Sequence, residues 1–391
     1  MRVAHICGAF SPLSETFIYD QITELEAQGE ECHVMTLRRE NEASRPFPRI
    51  HTLTCPWSLR RMRDRLLVSL GGLNRERYMW PYLRPQLEDE LRKIRPDIIH
   101  AHFGPMGMCA APIARALQVP LVVSFYGFDA TVLPRDGAWR MLLHEIFAHA
   151  DAIIVLSKIM KRQLEQLGSV PERTHIVHLG KRLHEFPFSS WNGRSIRHWI
   201  SVGRLTEKKG HLDCIQAFQS VATIDPKSTL TIIGEGETRN AIEALISQLG
   251  LKDRVRLIGA LSNQATRDRM RSSDAFILCS RTALNGDSEG TPTVLLEAQA
   301  LGLPCVTTNH SGIPEIIPPE SKWLLAPEGD INGIANRMLD LTRLNPAEIA
   351  RLTFAGRKLI EEHFNISFEV DKIRSLYTKI KRTNNTFLIK N

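Results

Sequence analysis

The hydrophobic positions in the first half of the chain form short apolar runs separated by longer stretches with helical spacing. Runs such as "RVAHIC", "DIIHAHF" and "PLVVSFY" have the length and the aliphatic content of buried strands. Stretches such as "SETFIYDQITELEAQG" and "MGMCAAPIARALQ" place apolar residues on one face of a helix. This alternation predicts a parallel β-sheet covered by helices.

The alternation stops in the segment "KRLHEFPFSSWNGRSIR", which is rich in proline, glycine, serine and charge and has no clear period. It restarts at "HWISVGRL" and continues to "INGIANRMLDLTRL". We therefore predict two doubly wound, Rossmann-like α/β domains joined near residues 188–196. Because ligands of such sheets bind beyond the carboxyl ends of the strands, the loops that follow the strands are the candidate sites.

Two carboxylates lie on either side of a predicted helix start in "SEGTPTVLLEAQALGLP". Turn residues precede Pro292 and Gly302 ends the helical spacing, so the helix is predicted to begin at Pro292 or Thr293. A helix start offers unpaired N–H groups and the positive end of a dipole, which suits a phosphate group. Because such an anion would repel Glu289 and Glu297, we expect them to accept hydrogen bonds from the neutral hydroxyls of a sugar and a ribose. The plainer alternative is one solvated glutamate and one turn glutamate.

A basic loop follows the first strand of the second half in "SVGRLTEKKG". Arg204 and Lys209 can both reach one point at the end of that strand, and two fixed cations can neutralise a pyrophosphate without metal. A solvated connection is the alternative. Asp287 and Glu289 form a D-x-E pair that could hold Mg²⁺ between phosphate oxygens. The basic pair makes a metal less necessary, so we expect none.

Other strand ends carry weaker signals. "TIIGEGET" places Gly234 after a strand, but the third glycine of a dinucleotide fingerprint is absent. "VRLIGALS" ends a strand at Gly259, where the backbone can contact a base, although a plain turn is equally compatible. In the first half, a strand-end histidine such as His102 is more often structural, and Asp129 could simply cap the next helix. The "SPLSETF" stretch could likewise be only a helix cap.

Composition and charge limit the class of protein. The chain has 391 residues, of which 43% are hydrophobic and 24% charged, as in a soluble globular protein of two domains. Seven cysteines without CxxC spacing indicate reduced thiols in the cytoplasm and neither disulfides nor zinc. The N-terminus is predicted to be a strand and not a signal peptide, and no apolar run reaches the roughly 18 residues of a membrane span.

The net charge is +7, and much of it lies in one segment. Residues 57–84 carry seven arginines interleaved with leucine, methionine, tryptophan and tyrosine. This pattern favours a basic amphipathic region that rests on anionic lipid, against the alternative of a surface helix packed on its own sheet. We expect phosphorylated ligands and an anionic membrane surface as partners, and no nucleic acid.

Taken together, "VGRLTEKKG", "TIIGEGE", "VRLIGALS", "EGTPTVLLEAQALGLPCVTT" and "SGIPEII" resemble the second domain of the retaining glycosyltransferases of family 4. "FSPLSETFIYDQITELEAQG", "HAHFG" and "SFYGFDA" further resemble the branch that builds exopolysaccharides such as colanic acid and amylovoran. The resemblance implies the GT-B fold, an α/β architecture with two Rossmann-like domains facing across a cleft. Residues 1–190 would bind the acceptor and 191–365 the nucleotide sugar, with a C-terminal helix within 366–391 crossing back to the first domain.

The resemblance also implies a role for each matching residue. Glu289 would lie near the reacting carbon, and Arg204 and Lys209 would bind the diphosphate, while Tyr126 occupies a catalytic position. The further residues expected to bind the donor are Glu297, Gly290, Thr291, Thr293, Val294, Gly203, Gly234 and Gly259. The residues expected to face the donor sugar and the acceptor are Ser14, Glu15, Thr16, His102, Gly127 and Asp129.

The chain departs from this family pattern at two places. Many members have histidine where Tyr126 stands, and a phenol is a poorer base and a different hydrogen-bond partner. Many also have Gly-Val-Asp where Gly180, Lys181 and Arg182 occur, so the two cations could favour an anionic acceptor or a phosphate.

The predicted function is retaining sugar transfer from a nucleoside diphosphate sugar to a lipid-linked saccharide, without cofactor, by a peripheral protein on the cytoplasmic face of a membrane. An epimerase or a phosphorylase on the same fold is one alternative. A nicotinamide dehydrogenase is opposed by the incomplete glycine fingerprint. A catalytically silent nucleotide-binding partner of polysaccharide assembly is a third alternative, because Tyr126 replaces the usual histidine.

Overall fold

The structure is a computed structural model that describes residues 1–13, 15–54, 62 and 80–390, with side chains from 82 to 383 in the last range. The chain divides into two units. Unit 1 comprises Met1–His178 with Glu369–Asn391, and unit 2 comprises Leu179–Phe368. Each unit is built on its own parallel sheet, as the alternation of strands and helices predicts.

Unit 1 contains a seven-stranded sheet in the order β3-β2-β1-β4-β5-β6-β7. Its strands are β1 (Arg2–Phe10), β2 (Glu31–Arg39), β3 (Ile50–Thr52), β4 (Ile98–His102), β5 (Leu121–Ser124), β6 (Ala152–Val155) and β7 (Thr174–Ile176). Its first helices are α1 (Thr16–Ala27), α2 (Trp80–Ile94), α3 (Gly104–Leu117), α4 (Phe128–Thr131), α5 (Gly137–His149) and α6 (Lys158–Gln166). Every residue of β4, β5 and β6 is buried, as expected for central strands with helices on both faces of the sheet.

Unit 2 contains a six-stranded parallel sheet in the order β10-β9-β8-β11-β12-β13. Its strands are β8 (His198–Val202), β9 (Thr229–Ile233), β10 (Val255–Leu257), β11 (Ala275–Leu278), β12 (Cys305–Thr308) and β13 (Leu325–Ala326). Its helices are α7 (His211–Ile224), α8 (Arg239–Gln248), α9 (Asn263–Arg271), α10 (Thr293–Leu301), α11 (Ile331–Arg343) and α12 (Pro346–His363). Two hydrophobic clusters, one built around Trp199 and Phe218 and the other around Phe276 and Phe364, form its core.

The boundary between the units lies at residues 178 and 179, earlier in the chain than the composition predicts. Residues 179–186 already pack on unit 2, because Lys181 forms a parallel bridge with Asn365 and Phe186 belongs to the core of that unit. The absence of a hydrophobic period between 181 and 197 therefore marks an irregular segment of unit 2 and not the junction itself.

The last helix, α13 (Ile366–Lys390), begins in unit 2 and returns to unit 1, as the resemblance implies. Tyr377 is completely buried there, and its hydroxyl lies 2.6 Å from Nδ1 of His100. Arg374 donates a hydrogen bond of 3.0 Å to Glu30. The C-terminal segment is thus an integral part of the first unit.

Six cysteines among the described residues are free and buried, and their reduced state in the cytoplasm stays a prediction. Within the same part, no helix combines the length and the apolar character needed to cross a bilayer. Most of the basic segment 57–84 lies outside the described residues, so its contact with anionic lipid stays a prediction.

Candidate active site

The helix start predicted between the two glutamates is present. α10 begins at Thr293 with Pro292 as its N-cap residue, and no side chain caps it. It ends at Leu301, and the cap residue Gly302, with a φ of 88°, gives the left-handed turn that follows many helices. Because the first N–H groups of a helix lack intrahelical partners, this uncapped start suits an anionic group.

Glu289 lies just before this helix and is buried, with 6% of its surface exposed. Its Oε1 atom lies 2.8 Å from Nζ of Lys209, which follows β8. Burial alone would raise the pKa of Glu289, but Lys209 and Lys208 outweigh burial and hold the pKa below its usual value. The carboxylate is therefore ionised at neutral pH.

The backbone of Glu289 is held by the loop after β12. Its N–H donates to Nε2 of His310 at 3.2 Å, and its carbonyl accepts a hydrogen bond of 2.6 Å from the Ser311 hydroxyl. Nδ1 of His310 lies 2.5 Å from a carboxylate oxygen of Glu328. Since Nε2 must accept, the proton of neutral His310 is on Nδ1, where it donates to Glu328. These bonds place the Glu289 side chain at the carboxyl edge of the sheet.

A second ion pair joins the same two loops. Nζ of Lys208 lies 2.9 Å from Asp287, so the two consecutive lysines each hold one carboxylate of the D-x-E pair. Lys208 is itself buried, with 7% of its surface exposed. The two lysines thus already neutralise the charges of Asp287 and Glu289.

Arg204 differs from these lysines because its side chain is exposed. No ion pair of Arg204 occurs among the residues that the structure describes. Arg204 closely follows β8, so its guanidinium group is available to bind a ligand anion at the carboxyl edge of the sheet.

Gly234 is required by backbone packing. Its φ is 153°, and a Cβ atom added there would lie 1.9 Å from the carbonyl oxygen of Gly203. The loops after β8 and β9 therefore approach each other more closely than any residue with a side chain would allow. This packing accounts for the glycine, and the role of Gly234 in donor binding stays a prediction.

Glu297 lies one turn into α10, and its side chain is 19% exposed. One of its oxygens, Oε1, forms an ion pair with Nζ of Lys181, whose side chain is only 4% exposed. Lys181, one of the two cations that depart from the family pattern, is thus paired with Glu297, and both residues belong to unit 2.

In unit 1, Tyr126 belongs to a buried hydrogen-bond network. Its hydroxyl lies 2.7 Å from Nδ1 of His102, and Nε2 of His102 lies 3.1 Å from Nδ1 of His5. His100 lies in β4 with His102. Its Nδ1 contacts the hydroxyl of Tyr377, and its Nε2 contacts the hydroxyl of Ser124. Burial raises the pKa of Tyr126 well above its usual value and lowers the pKa of His102 to about 3. These groups are neutral at physiological pH.

The three histidines of this network offer nitrogen atoms within 4.8 Å of one another. Both nitrogens of His100 and both of His102 already have partners in the protein, and only Nε2 of His5 lacks one. Hydrogen bonding thus accounts for the cluster, in line with the structural alternative for His102, and the place of His102 facing a ligand stays a prediction.

Asp129 is completely buried. Its Oδ1 atom accepts hydrogen bonds of 3.0 Å from the N–H groups of Tyr126 and Gly127, and Oδ2 accepts one of 3.0 Å from Gly104. These bonds brace the loop after β5 against the start of α3. The side chain supports the loop, in line with the capping alternative, and its place facing a ligand stays a prediction.

The predicted residues thus collect at two sheet edges. Those at the carboxyl edge of unit 2 are Gly203, Arg204, Lys209, Gly234, Gly259, Glu289, Gly290, Thr291, Thr293, Val294 and Glu297. Those at the carboxyl edge of unit 1 are Glu15, Thr16, His102, Tyr126, Gly127 and Asp129. Phe17, next to Thr16, packs on Tyr126 with ring centroids 4.8 Å apart. Ser14 lies outside the described residues.

Sequence reasoning missed His310, Ser311 and Lys208. The signal for the first two was available, because a histidine and a serine directly follow a strand in "TTNHSG". For Lys208 there was no signal, because spacing alone does not show which of the adjacent Lys208 and Lys209 faces the site. His5 was missed because an isolated histidine inside a strand carries no local signal.

The two Rossmann-like units, with polar loops at the carboxyl ends of their parallel strands, define a protein of the GT-B class. Residues 197–358 match the family model described as glycosyl transferases group 1, and residues 14–183 match glycosyltransferase family 4. The amylovoran biosynthesis glycosyltransferase AmsK of Erwinia amylovora is 32% identical over 275 residues, covering 69% of this chain and 67% of AmsK. The chain therefore belongs to the group 1 and family 4 glycosyltransferases.

Other relatives extend this similarity. A protein of Salmonella typhimurium with the provisional name colanic acid biosynthesis glycosyltransferase WcaL is 27% identical over 93% of this chain and 96% of its own. The UDP-Gal:alpha-D-GlcNAc-diphosphoundecaprenol alpha-1,3-galactosyltransferase of Escherichia coli is 28% identical over 73% of this chain and 76% of its own. Anabaena Alr3699/HepE, solved with UDP-glucose, shares the fold with a TM-score of 0.73 at 17% identity, over 99% of this chain and 100% of that chain.

Proposed function

We propose that the protein transfers a sugar, with retention of anomeric configuration, from a nucleoside diphosphate sugar to a lipid-linked saccharide in the assembly of an exopolysaccharide or another cell-surface polysaccharide. Unit 2 would hold the donor at the carboxyl edge of its sheet. The names of AmsK and WcaL support the polysaccharide context. The diphosphoundecaprenol in the name of the E. coli galactosyltransferase supports a lipid-linked acceptor, and hence work at a membrane surface.

The observation that carries the proposal is the state of Glu289. Its carboxylate is buried, and Oε1 is held by Lys209. Among the described residues no hydrogen bond reaches Oε2, so this oxygen is suited to accept one from a ligand hydroxyl. It lies just before the uncapped start of α10, where a phosphate group fits. A hydroxyl next to a phosphate is the chemistry of a sugar phosphate.

In the proposed reaction, the bond between C1 of the donor sugar and the diphosphate oxygen breaks. The acceptor hydroxyl forms a new bond to C1 on the same face, and its proton passes to the departing diphosphate oxygen. The products are a glycoside and a nucleoside diphosphate. Arg204, Lys209 and the start of α10 would stabilise the charge that develops on the diphosphate, an electrostatic contribution in place before the reaction.

We further propose that the transfer is independent of metal. The support is that Lys208 and Lys209 already neutralise Asp287 and Glu289, which leaves less negative charge to attract a divalent cation. The exposed cation of Arg204 would neutralise the diphosphate directly.

The test is donor turnover by the purified full chain, against UDP-, GDP-, ADP- and dTDP-sugars with EDTA and then with added Mg²⁺. Wild type is compared with Glu289→Gln and with Glu243→Gln, which changes an exposed glutamate of unit 2 paired with Arg239. We expect one or more donors to be bound and slowly hydrolysed by wild type and by Glu243→Gln in EDTA. Glu289→Gln should be slower by about 100-fold or more.

If no sugar nucleotide binds under either condition, the proposal of a transferase is wrong. If a sugar nucleotide binds but is not turned over even with Mg²⁺, the catalytically silent partner is favoured. If a donor turns over only with Mg²⁺, the transferase stands and its metal independence is wrong. A new sugar nucleotide made without acceptor would instead identify an epimerase.

A further inference from the structure

Lys181 is held in place more firmly than a surface lysine. Its N–H donates a hydrogen bond of 2.7 Å to the carbonyl of Phe364, and its carbonyl accepts one of 3.1 Å from Ile366. Before it, Gly180 packs so closely that an added Cβ would lie 2.3 Å from the Cα of Ile366. The backbone at Lys181 therefore has little freedom to move, and the side chain leaves it in a defined direction.

The ammonium group of Lys181 is buried and needs a partner, because an unpaired buried charge is strongly unfavourable. Glu297 provides that partner through Oε1, and the ring of Phe186 lies 5.9 Å from Nζ. Oε2 of Glu297 has no hydrogen-bond donor among the residues that the structure describes. The carboxylate is 19% exposed, so that a ligand can approach it.

This pairing changes what Glu297 can offer to a nucleoside. A free carboxylate can accept from both vicinal hydroxyls of a ribose, one on each oxygen. The ammonium group takes one lone pair of Oε1 and draws charge from that oxygen, so Oε1 becomes the weaker acceptor and Oε2 the stronger one. One ribose hydroxyl can then be bound well, and the second contributes little.

We propose that Lys181 is a specificity-determining residue, which limits Glu297 to one ribose hydroxyl and lets the site accept 2′-deoxyribonucleoside diphosphate sugars as well as ribonucleoside diphosphate sugars. The inference rests on the proposed function, because it assumes that the ribose of the donor lies next to Glu297. Lys181 acts through Glu297 and need not touch the donor itself. Its cation also keeps the carboxylate from repelling the diphosphate.

The experiment measures Kd by titration calorimetry for UDP, GDP and ADP and for their 2′-deoxy counterparts. For each base that binds, the ratio of the 2′-deoxy Kd to the ribo Kd is compared in wild type, Lys181→Met and Lys181→Arg. Methionine keeps most of the length of the side chain and removes the charge, whereas arginine keeps the charge. Thermal melting checks that each variant is folded.

We expect a ratio below fivefold in wild type and in Lys181→Arg. In Lys181→Met the ratio should rise to tenfold or more, since a hydrogen bond from the 2′-hydroxyl to a free carboxylate contributes about that much. A wild-type ratio of fivefold or more would overturn the inference, whether or not the methionine variant folds. An equal ratio in wild type and folded Lys181→Met would do the same. If neither the three ribonucleotides nor their 2′-deoxy counterparts bind wild type, the proposed function itself fails.

Discussion

Lys209 and Glu289 form an ion pair, with 2.8 Å between Nζ and Oε1, and thereby join the turn after β8 to the loop before α10. Both side chains are largely buried, with exposed fractions of 13% and 7%. The pair therefore has a structural role in addition to its proposed chemistry. It keeps an ionised carboxylate in the interior and places a cation beside the helix start.

Removing the cation should destabilise the protein through Glu289. We expect Lys209→Met to lower the free energy of unfolding at pH 7 by about 3–5 kcal/mol, because it leaves a buried carboxylate without its ionic partner. Lys227→Met, at an exposed lysine of the same unit, should change it by less than about 0.5 kcal/mol. Urea unfolding followed by tryptophan fluorescence measures both values.

The same pair predicts a pH dependence. The folded-state pKa of Glu289 lies below the ordinary value of 4.5, so the stability that its ionisation contributes is present above pH 4.5. This contribution is lost as the pH falls through the folded-state pKa. Without Lys209, burial favours the protonated carboxyl, so the difference in stability between wild type and Lys209→Met should be largest near pH 7 and shrink as the pH falls toward 4. A difference that stays constant between pH 7 and pH 4 would contradict the ionised state of Glu289.

Arg204 should contribute to the binding of the nucleoside diphosphate with little effect on stability. Because its cation is exposed and has no ion pair among the described residues, Arg204→Ala should weaken binding of the preferred nucleoside diphosphate about tenfold or more. Arg197→Ala is the matched control, since Arg197 precedes the opposite end of β8 and pairs with Asp225. Calorimetric titration compares the two variants, and equal affinities would remove Arg204 from the site.

Gly210 is required where the basic turn passes β11. Its φ is 63°, and an added Cβ would lie 1.8 Å from the carbonyl oxygen of Cys279. Gly250 has a similar φ of 68° with open space around it. We expect Gly250→Ala to cost about 1 kcal/mol from its backbone conformation alone, and Gly210→Ala to cost a further 1–3 kcal/mol or so from steric overlap. Urea unfolding of both variants tests this, and equal costs would mean that the turn can relax.

The buried histidines of unit 1 predict a loss of stability in mild acid. Burial lowers the pKa of His5, His100 and His102 below 6.5, so these groups stay neutral in the folded state while the unfolded chain takes up protons. Stability should fall below pH 6.5 by up to about 1.4 kcal/mol per pH unit for each histidine. His5→Leu should reduce this slope by the contribution of one histidine. Unfolding free energies between pH 7 and pH 5 measure the slope, and an unchanged slope in the variant would contradict the prediction.

Much of the fold follows from local patterns. Buried strands such as β4 and β5 were predicted because their residues are apolar over the whole length of a strand. The start of α10 at Thr293 and its end just before Gly302 were predicted because turn residues, helical spacing and a terminal glycine are signals within a few positions. The unit boundary was placed too late, because the irregular segment after residue 180 packs on unit 2 through tertiary contacts that composition does not record.

The sequence by itself determined the two α/β units, the strand-end loops that carry the candidate residues, and the position of the helix start between Glu289 and Glu297. These depend on periodicity and turn chemistry, which act between near neighbours. Only the tertiary structure decided that Lys209 holds Glu289, that Lys181 holds Glu297, and that Tyr126 bonds to His102. The physical reason is that residues far apart in the chain meet only when the parallel strands align, and a buried charge or ring then pairs with whichever partner that alignment brings within reach.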